Sequence, residues 1–191
     1  DEIIDLGIDV APEQFVKAVK KEKPDRLLLS CLYTLTMHSM EDTIIALRKA
    51  GIRAPILVMG GIFGPQVAHF IQHDLEITVS SLAKLRQAEA AAEALGRKAT
   101  IHLKIDTGME RIGVHSYSAG PFIEAAAASK WCTLKGLYSH LACADDPRSP
   151  MTGQQLERFL EACAHIERIG APMPLRHLAN SGGVLHFPET W

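Results

Sequence analysis

Two hydrophobic periods alternate along the chain. Short, nearly unbroken runs of β-branched residues and leucine occupy 2–9, 27–32, 55–59, 75–79, 99–105, 134–138 and 176–178. Runs of this kind fit parallel strands covered on both faces. Between them, 12–21, 39–50, 65–72, 82–95, 118–128 and 152–169 place apolar residues three and four apart, the spacing of helices with one buried stripe. The boundaries carry matching signals. Pro12 and Glu13 open the first helix with a proline and an acid. Gly51 and Gly96 follow the last periodic residues of theirs, where a left-handed cap favours glycine, and Ser80-Ser81 offers an N-cap before Leu82.

Strict alternation of strand and helix implies an α/β fold of repeated βα units with parallel strands. An open doubly wound sheet and a TIM-like (βα)-barrel both satisfy it. Seven strand runs in 191 residues fall short of a full barrel, which takes about 250 residues. The expectation is therefore a single α/β domain over 1–191, a partial or re-closed barrel.

Composition excludes several partners. A net charge of −2 gives no electrostatic footprint for nucleic acid or an anionic membrane. The apolar runs are too short to span a bilayer, and Asp1-Glu2 does not begin a secretory signal, so a cytoplasmic location is expected. Cys31, Cys132, Cys143 and Cys163 lack metal-type spacing and read as reduced, mostly buried thiols. His69, His73 and Asp74 have a spacing that can hold zinc, but a solvated helix face accounts for them better. Asp145-Asp146-Pro147 reads as a turn, His38 as a surface or helix-start residue, and no metal site is expected.

The chemistry concentrates at 101–113, Ile-His-Leu-Lys-Ile-Asp-Thr-Gly-Met-Glu-Arg-Ile-Gly. Alternation puts His102, Lys104 and Asp106 on one side of a strand and Ile101, Leu103 and Ile105 on the other. A lysine and an aspartate projecting together into an interior are either a structural ion pair or chemically used. Arg111 follows at the strand's C-terminal end, where barrel enzymes build their sites. Near the chain's end, Asn180-Ser181-Gly182-Gly183 is either an ordinary turn or a phosphate-binding loop with exposed N–H groups.

This run resembles the signature of alanine racemases, the fold-type III pyridoxal-phosphate barrels. So do Gly136-Leu137-Tyr138-Ser139-His140-Leu141-Ala142, His177-Leu178-Ala179-Asn180-Ser181-Gly182 and the strand 54–61, so that the resemblance covers about 46–191. It implies roles residue by residue. Lys104 would be the lysine that the family often carbamylates, orienting Arg111. Arg111 would reach the cofactor's phenolic oxygen and a substrate carboxylate. His140 would lie against the pyridine ring, and His177 would support the group facing the ring nitrogen. Asn180, Ser181 and Gly182 would bind phosphate together with neighbouring amides.

Residues 1–50 resemble something else. Asp5-Leu6-Gly7-Ile8-Asp9-Val10-Ala11-Pro12-Glu13, Lys23-Pro24-Asp25 and the stretch from Leu29 to Met37 are similar to the flavodoxin-like cobalamin-binding domain of corrinoid proteins and methionine synthases. There Ser30 and Thr34 would line the cofactor's nucleotide tail. The family's Asp-x-His-x-x-Gly loop is absent, so cobalt ligation is not expected. Also absent is the racemase motif Lys-Ala-Asn/Asp-Ala-Tyr-Gly, which carries the cofactor-anchoring lysine. The expectation is thus a recombined or engineered chimera joined within 44–61, with no native catalytic function and no cofactor. The alternative is a weak pyridoxal-phosphate binder with a vestigial amino-acid racemase site. Exposed strand edges imply self-association.

Overall fold

The computed structural model describes residues 4, 6, 7, 10–24, 27, 37–59, 62 and 64–190. The chain divides into two compact units, Asp1–Val58 and Met59–Trp191. Most of the expected strands at 2–9 and 27–32, together with Ser30, Thr34, Gly60 and Gly61, lies outside the described residues.

In the first unit, helix α1 (Pro12–Glu22) begins as expected with Pro12 and Glu13 and closes on Lys23 in a left-handed conformation, whose N–H donates to the Val19 carbonyl. Helix α2 (Met37–Lys49) contains His38 and buries Thr43, Ile44 and Leu47. Arg48 donates to the carbonyls of Ile52 and Ala54, tying down the turn that Gly51 makes at positive φ. Strand β1 (Leu57–Val58) follows, and Leu27 bridges Ile56 in parallel.

The second unit runs α3 (Gly64–Gln72), β2 (Glu76–Val79), α4 (Leu82–Leu95), β3 (Ala99–Asp106), β4 (Val114–His115), α5 (Ala119–Ala127), β5 (Cys132–Tyr138), α6 (Met151–Arg168), β6 (Leu175–His177) and α7 (Ser181–His186). Ser81 caps α4 by accepting from the Lys84 N–H, and Gly96 ends it at φ 61. The pairs β2–β3, β3–β5 and β5–β6 are all parallel, with β4 added alongside the end of β3. Each main strand therefore joins the one before it, and the order never reverses within the unit. A doubly wound sheet needs such a reversal, and a barrel wall does not. The α/β expectation with parallel strands stands.

The sheet has two unlike faces. Ile77, Val79, Ile101, Leu103, Ile105 and Leu137 are fully buried beneath Leu85, Ala88, Phe122, Ile123, Phe159 and Ile166 from α4, α5 and α6. Each such side chain contributes about 1.5–3 kcal/mol by leaving water. The opposite face carries Glu76, Thr78, His102, Lys104, Asp106, Gly136, Tyr138 and His177, as period-two alternation requires. A register shift between Ile101 and His102 sets His102 beside Gly136. Glycine is obligatory there, because a Cβ would fall 1.9 Å from the His102 ring.

Two elements depart from the pattern. β4 is only two residues long and follows a loop closed by Gly113 at φ 128, packed against the backbone of 104–106. The Asn-Ser-Gly-Gly segment is not a bare turn but the start of helix α7, capped by Asn180. Its glycines mask it in the sequence, since glycine is a poor helix former.

Candidate functional site

All the candidate residues of the racemase-like signature lie in the second unit. At the C-terminal end of β3, Asp106 accepts four backbone N–H bonds, from Gly108, Met109, Glu110 and Arg111, at 2.8–3.1 Å. Burial pushes its carboxyl up, but these four donors outweigh it and hold the group below the usual aspartate value. Asp106 is thus the tether of the loop that carries Arg111, and no hydrogen bond joins it to Lys104. The structural ion pair left open by the sequence is not formed.

Lys104 is only 4% exposed, and its Nζ has no hydrogen-bond partner among the described residues. It sits 4.7 Å from the centre of the Tyr138 ring, a cation–π distance. Burial lowers its pKa, Asp106 works against this, and Arg111 adds to it, bringing the amine to about 8. An appreciable share of Lys104 is then uncharged and nucleophilic at neutral to mildly alkaline pH. The Arg111 side chain is exposed. His140, half-buried just beyond β5, is held below the usual histidine value by burial and then by the charges of Lys104 and Arg111.

A second layer lies one step back along the strands. His102 hydrogen-bonds Glu76 through Nε2 at 2.7 Å and His177 through Nδ1 at 3.0 Å. The Tyr138 ring stacks on His177 at 4.6 Å, nearly coplanar, while its hydroxyl bonds Thr78 at 2.8 Å. Asn180 donates to the Leu141 carbonyl and accepts from the Gly183 N–H, so its side chain holds α7 against the loop after β5. Gly182 allows that approach, since a Cβ would meet the Ala144 backbone at 2.6 Å. Ser181 is exposed at the first turn.

Helix α6 stitches the strand ends together. Gln155, fully buried, donates to Thr107 Oγ1 at 3.0 Å and to the His140 carbonyl at 2.9 Å, and accepts from the Ala142 N–H at 2.8 Å. Arg158 donates to the Thr107 carbonyl, and Thr107 also bonds Ser139. Sequence reasoning assigned no role to Glu76, Gln155 or Arg158. A signal existed for Glu76, a charged residue inside an otherwise apolar strand and on the same face as Thr78. For Gln155, helical periodicity marks only a position on a face.

The remaining candidates fall outside this constellation. The rings of His69 and His73 meet edge-on at 4.4 Å, and Asp74 pairs with Arg97. Asp146 caps its own turn through the Arg148 N–H. Cys132, Cys143 and Cys163 are free thiols, and burial raises Cys132 to about 11. No described helix is long and apolar enough to cross a membrane.

Comparison with known proteins places this geometry. Residues 16–191 match the family model "Alanine racemase, N-terminal domain". The chain is 36% identical over 146 residues to an alanine racemase of Desulforamulus reducens, covering 76% of this chain and 40% of that one. It is 41% identical over 143 residues to one of Synechocystis, covering 74% and 38%. Among solved structures, an alanine racemase of Clostridium difficile in complex with cycloserine aligns with a TM-score of 0.80 at 27% identity, over 93% of this chain and 46% of that one. The chain thus spans about two fifths of the length of the curated relatives it matches. These matches overturn the expectation of a catalytically silent chimera. A single family runs unbroken from residue 16 through most of the segment assigned to a cobalamin-binding, flavodoxin-like module, and the matches give that module no support.

Proposed function

The chain belongs to the alanine racemase N-terminal-domain family, and on that premise we propose that it forms the pyridoxal-phosphate-facing part of an amino-acid racemase, an isomerase acting on alanine. The observation that carries this reading is the orphaned amine of Lys104, buried on the polar face of the sheet on the strand that leads into the Arg111 loop. A buried cation with no acceptor among the described residues, pressed further by a neighbouring guanidinium, is a poor structural element. It makes sense as a group to be converted. Carbamylation joins the neutral amine to carbon dioxide and releases a proton, turning the cation into an anion. The Arg111–Lys104 repulsion then becomes attraction and steers the exposed guanidinium over the site.

The residues present fit the cofactor. Arg111 would meet anionic oxygens of cofactor and substrate. The lowered pKa of His140 favours a neutral ring that can lie against an aromatic face. The Ser181 hydroxyl and the first amides of α7 would take the phosphate, while Asn180 supports them from behind. Pyridoxal phosphate, when bound, supplies an electron sink for a deprotonated α-carbon. This chain's residues bind, orient and neutralise charge around it.

Titration of the purified chain with pyridoxal phosphate, followed by absorbance, tests the reading. A saturable spectral change weakened at least tenfold by Arg111→Ala and by Ser181→Ala supports it. Absence of saturation, or equal binding by both variants, rejects it. Separately, 13C-labelled bicarbonate is expected to give a carbamate resonance that disappears in Lys104→Ala.

A further inference from the structure

Arg111 and His140 stand on different loops, one after β3 and one after β5, yet both loops are bonded at their roots to a single helix, α6. That helix packs on the apolar face of the sheet, away from the polar one. We propose that Gln155 of α6 is a positioning residue that fixes Arg111 and His140 relative to each other, so that the span between guanidinium and imidazole is set from behind the loops. This inference deepens the proposed function: it rests on that reading for what the two groups hold, and on hydrogen bonds alone for how they are held. Small misplacements of groups that orient a ligand cost rate steeply.

The chemistry of the amide makes the link rigid. Gln155 Nε2 donates to Thr107 Oγ1 and to the His140 carbonyl, and Oε1 accepts from the Ala142 N–H, so both N–H groups and the oxygen are engaged. The group has one orientation only. Turned over, its NH2 would face the Ala142 N–H and its oxygen the His140 carbonyl, donor against donor and acceptor against acceptor. Gln155 is fully buried and Thr107 is 1% exposed, so water does not compete for these bonds. One planar group thus joins the residue that bears the imidazole to the first residue after β3. A second bond from the same helix braces that residue, since Arg158 donates to the Thr107 carbonyl at 2.7 Å. Gly108 leaves the guanidinium room, because a Cβ there would stand 3.0 Å from it. From Gly108 onward the N–H bonds to Asp106 carry the placement to the backbone of Arg111. A leucine at 155 would fill the space but would fix no angle.

Titration of the His140 ring, followed by NMR in the 191-residue chain without cofactor, reads the spacing. Low ionic strength keeps screening small, and carbon-dioxide-free buffer keeps Lys104 an amine. Lys104 on β3 and Arg111 on the loop after it are the charges that act on this ring. Arg111→Ala is therefore expected to raise the His140 midpoint. Gln155→Leu and Thr107→Val are each expected to cut that Arg111-dependent rise by at least half, whereas Thr107→Ser, which keeps the hydroxyl, is expected to preserve it. The midpoint belongs to folded molecules, so a variant that is merely less stable does not change it. Should Gln155→Leu fail to fold, the contrast between Thr107→Val and Thr107→Ser decides. A rise equal in wild type and Thr107→Val overturns the inference, as does an equal loss in Thr107→Ser. No rise in the wild type overturns it as well, since the two groups are then not held within reach of each other. Failure of pyridoxal phosphate to bind, with the titrations as expected, counts against the proposed function alone.

Discussion

Replacing Gln155 with leucine tests whether the buried polar stitch holds the strand ends. The change keeps side-chain volume close to constant but removes three hydrogen bonds. Thr107 Oγ1 still has Ser139 as a partner, whereas the Ala142 N–H and the His140 carbonyl lose the Gln155 bonds. Each buried group left unsatisfied costs about 1–3 kcal/mol, so two together cost about 2–6 kcal/mol. Burying leucine in place of an amide offsets part of this, and a net loss of roughly 3 kcal/mol is expected. For a protein of this size that lowers Tm by roughly 6–12 °C. Trp131 packs against the core of the second unit. Its fluorescence during thermal and urea unfolding therefore reports the unit in question. A double-mutant cycle with Thr107→Val is expected to show coupling of about 1 kcal/mol between the two sites. A Gln155→Leu variant within about 0.5 kcal/mol of wild type would refute the argument, because ordinary surface substitutions do no more.

Lys104→Met is expected to be more stable than wild type at pH 7 by up to roughly 3 kcal/mol, the cost of charging the buried amine. The folded pKa of about 8 lies below the ordinary lysine value of 10.5, so the unfolded chain binds the extra proton between them. Wild-type stability therefore rises with pH through that window, and Lys104→Met lacks that part of the slope. Urea midpoints at pH 7 and 10 in carbon-dioxide-free buffer measure it, and identical slopes would contradict it. Gly136→Ala is expected to cost about 3 kcal/mol by driving a methyl into His102, and His102→Ala in the same chain to restore most of the loss. Chemical denaturation checks both, and additive effects would count against that contact. Self-association of the purified chain is expected to be concentration-dependent in light scattering and reduced by Leu185→Glu, since Leu185 is 75% exposed beside exposed Val184. A monomer at every concentration would dispose of it.

Much of this was readable from the sequence because it rests on local periodicity. The alternation of 101–106 alone separates Ile101, Leu103 and Ile105, which face helices, from His102, Lys104 and Asp106, which face the site. Gly96 and Ser81 behave as caps for reasons that lie within four residues of each. Contacts across long sequence distances were not readable. Gln155 reaches Thr107 across 48 positions, and Glu76 reaches His102 across 26. The role of Asp106 was missed for a different reason: its partners are backbone amides, which every sequence has and none displays. The reading of 1–50 as a separate corrinoid module leaned on short apolar and proline-bounded stretches, and βα repeats of many families share those.

The Asp106 tether has a consequence for how such a site can change over time. One carboxylate holds the loop through main-chain atoms, so these bonds do not depend on which side chains project from 109–111. The mount and the tool are separate parts. New residues can be tried at the rim without dismantling the frame, whereas a single change at Asp106 would release every one of them at once.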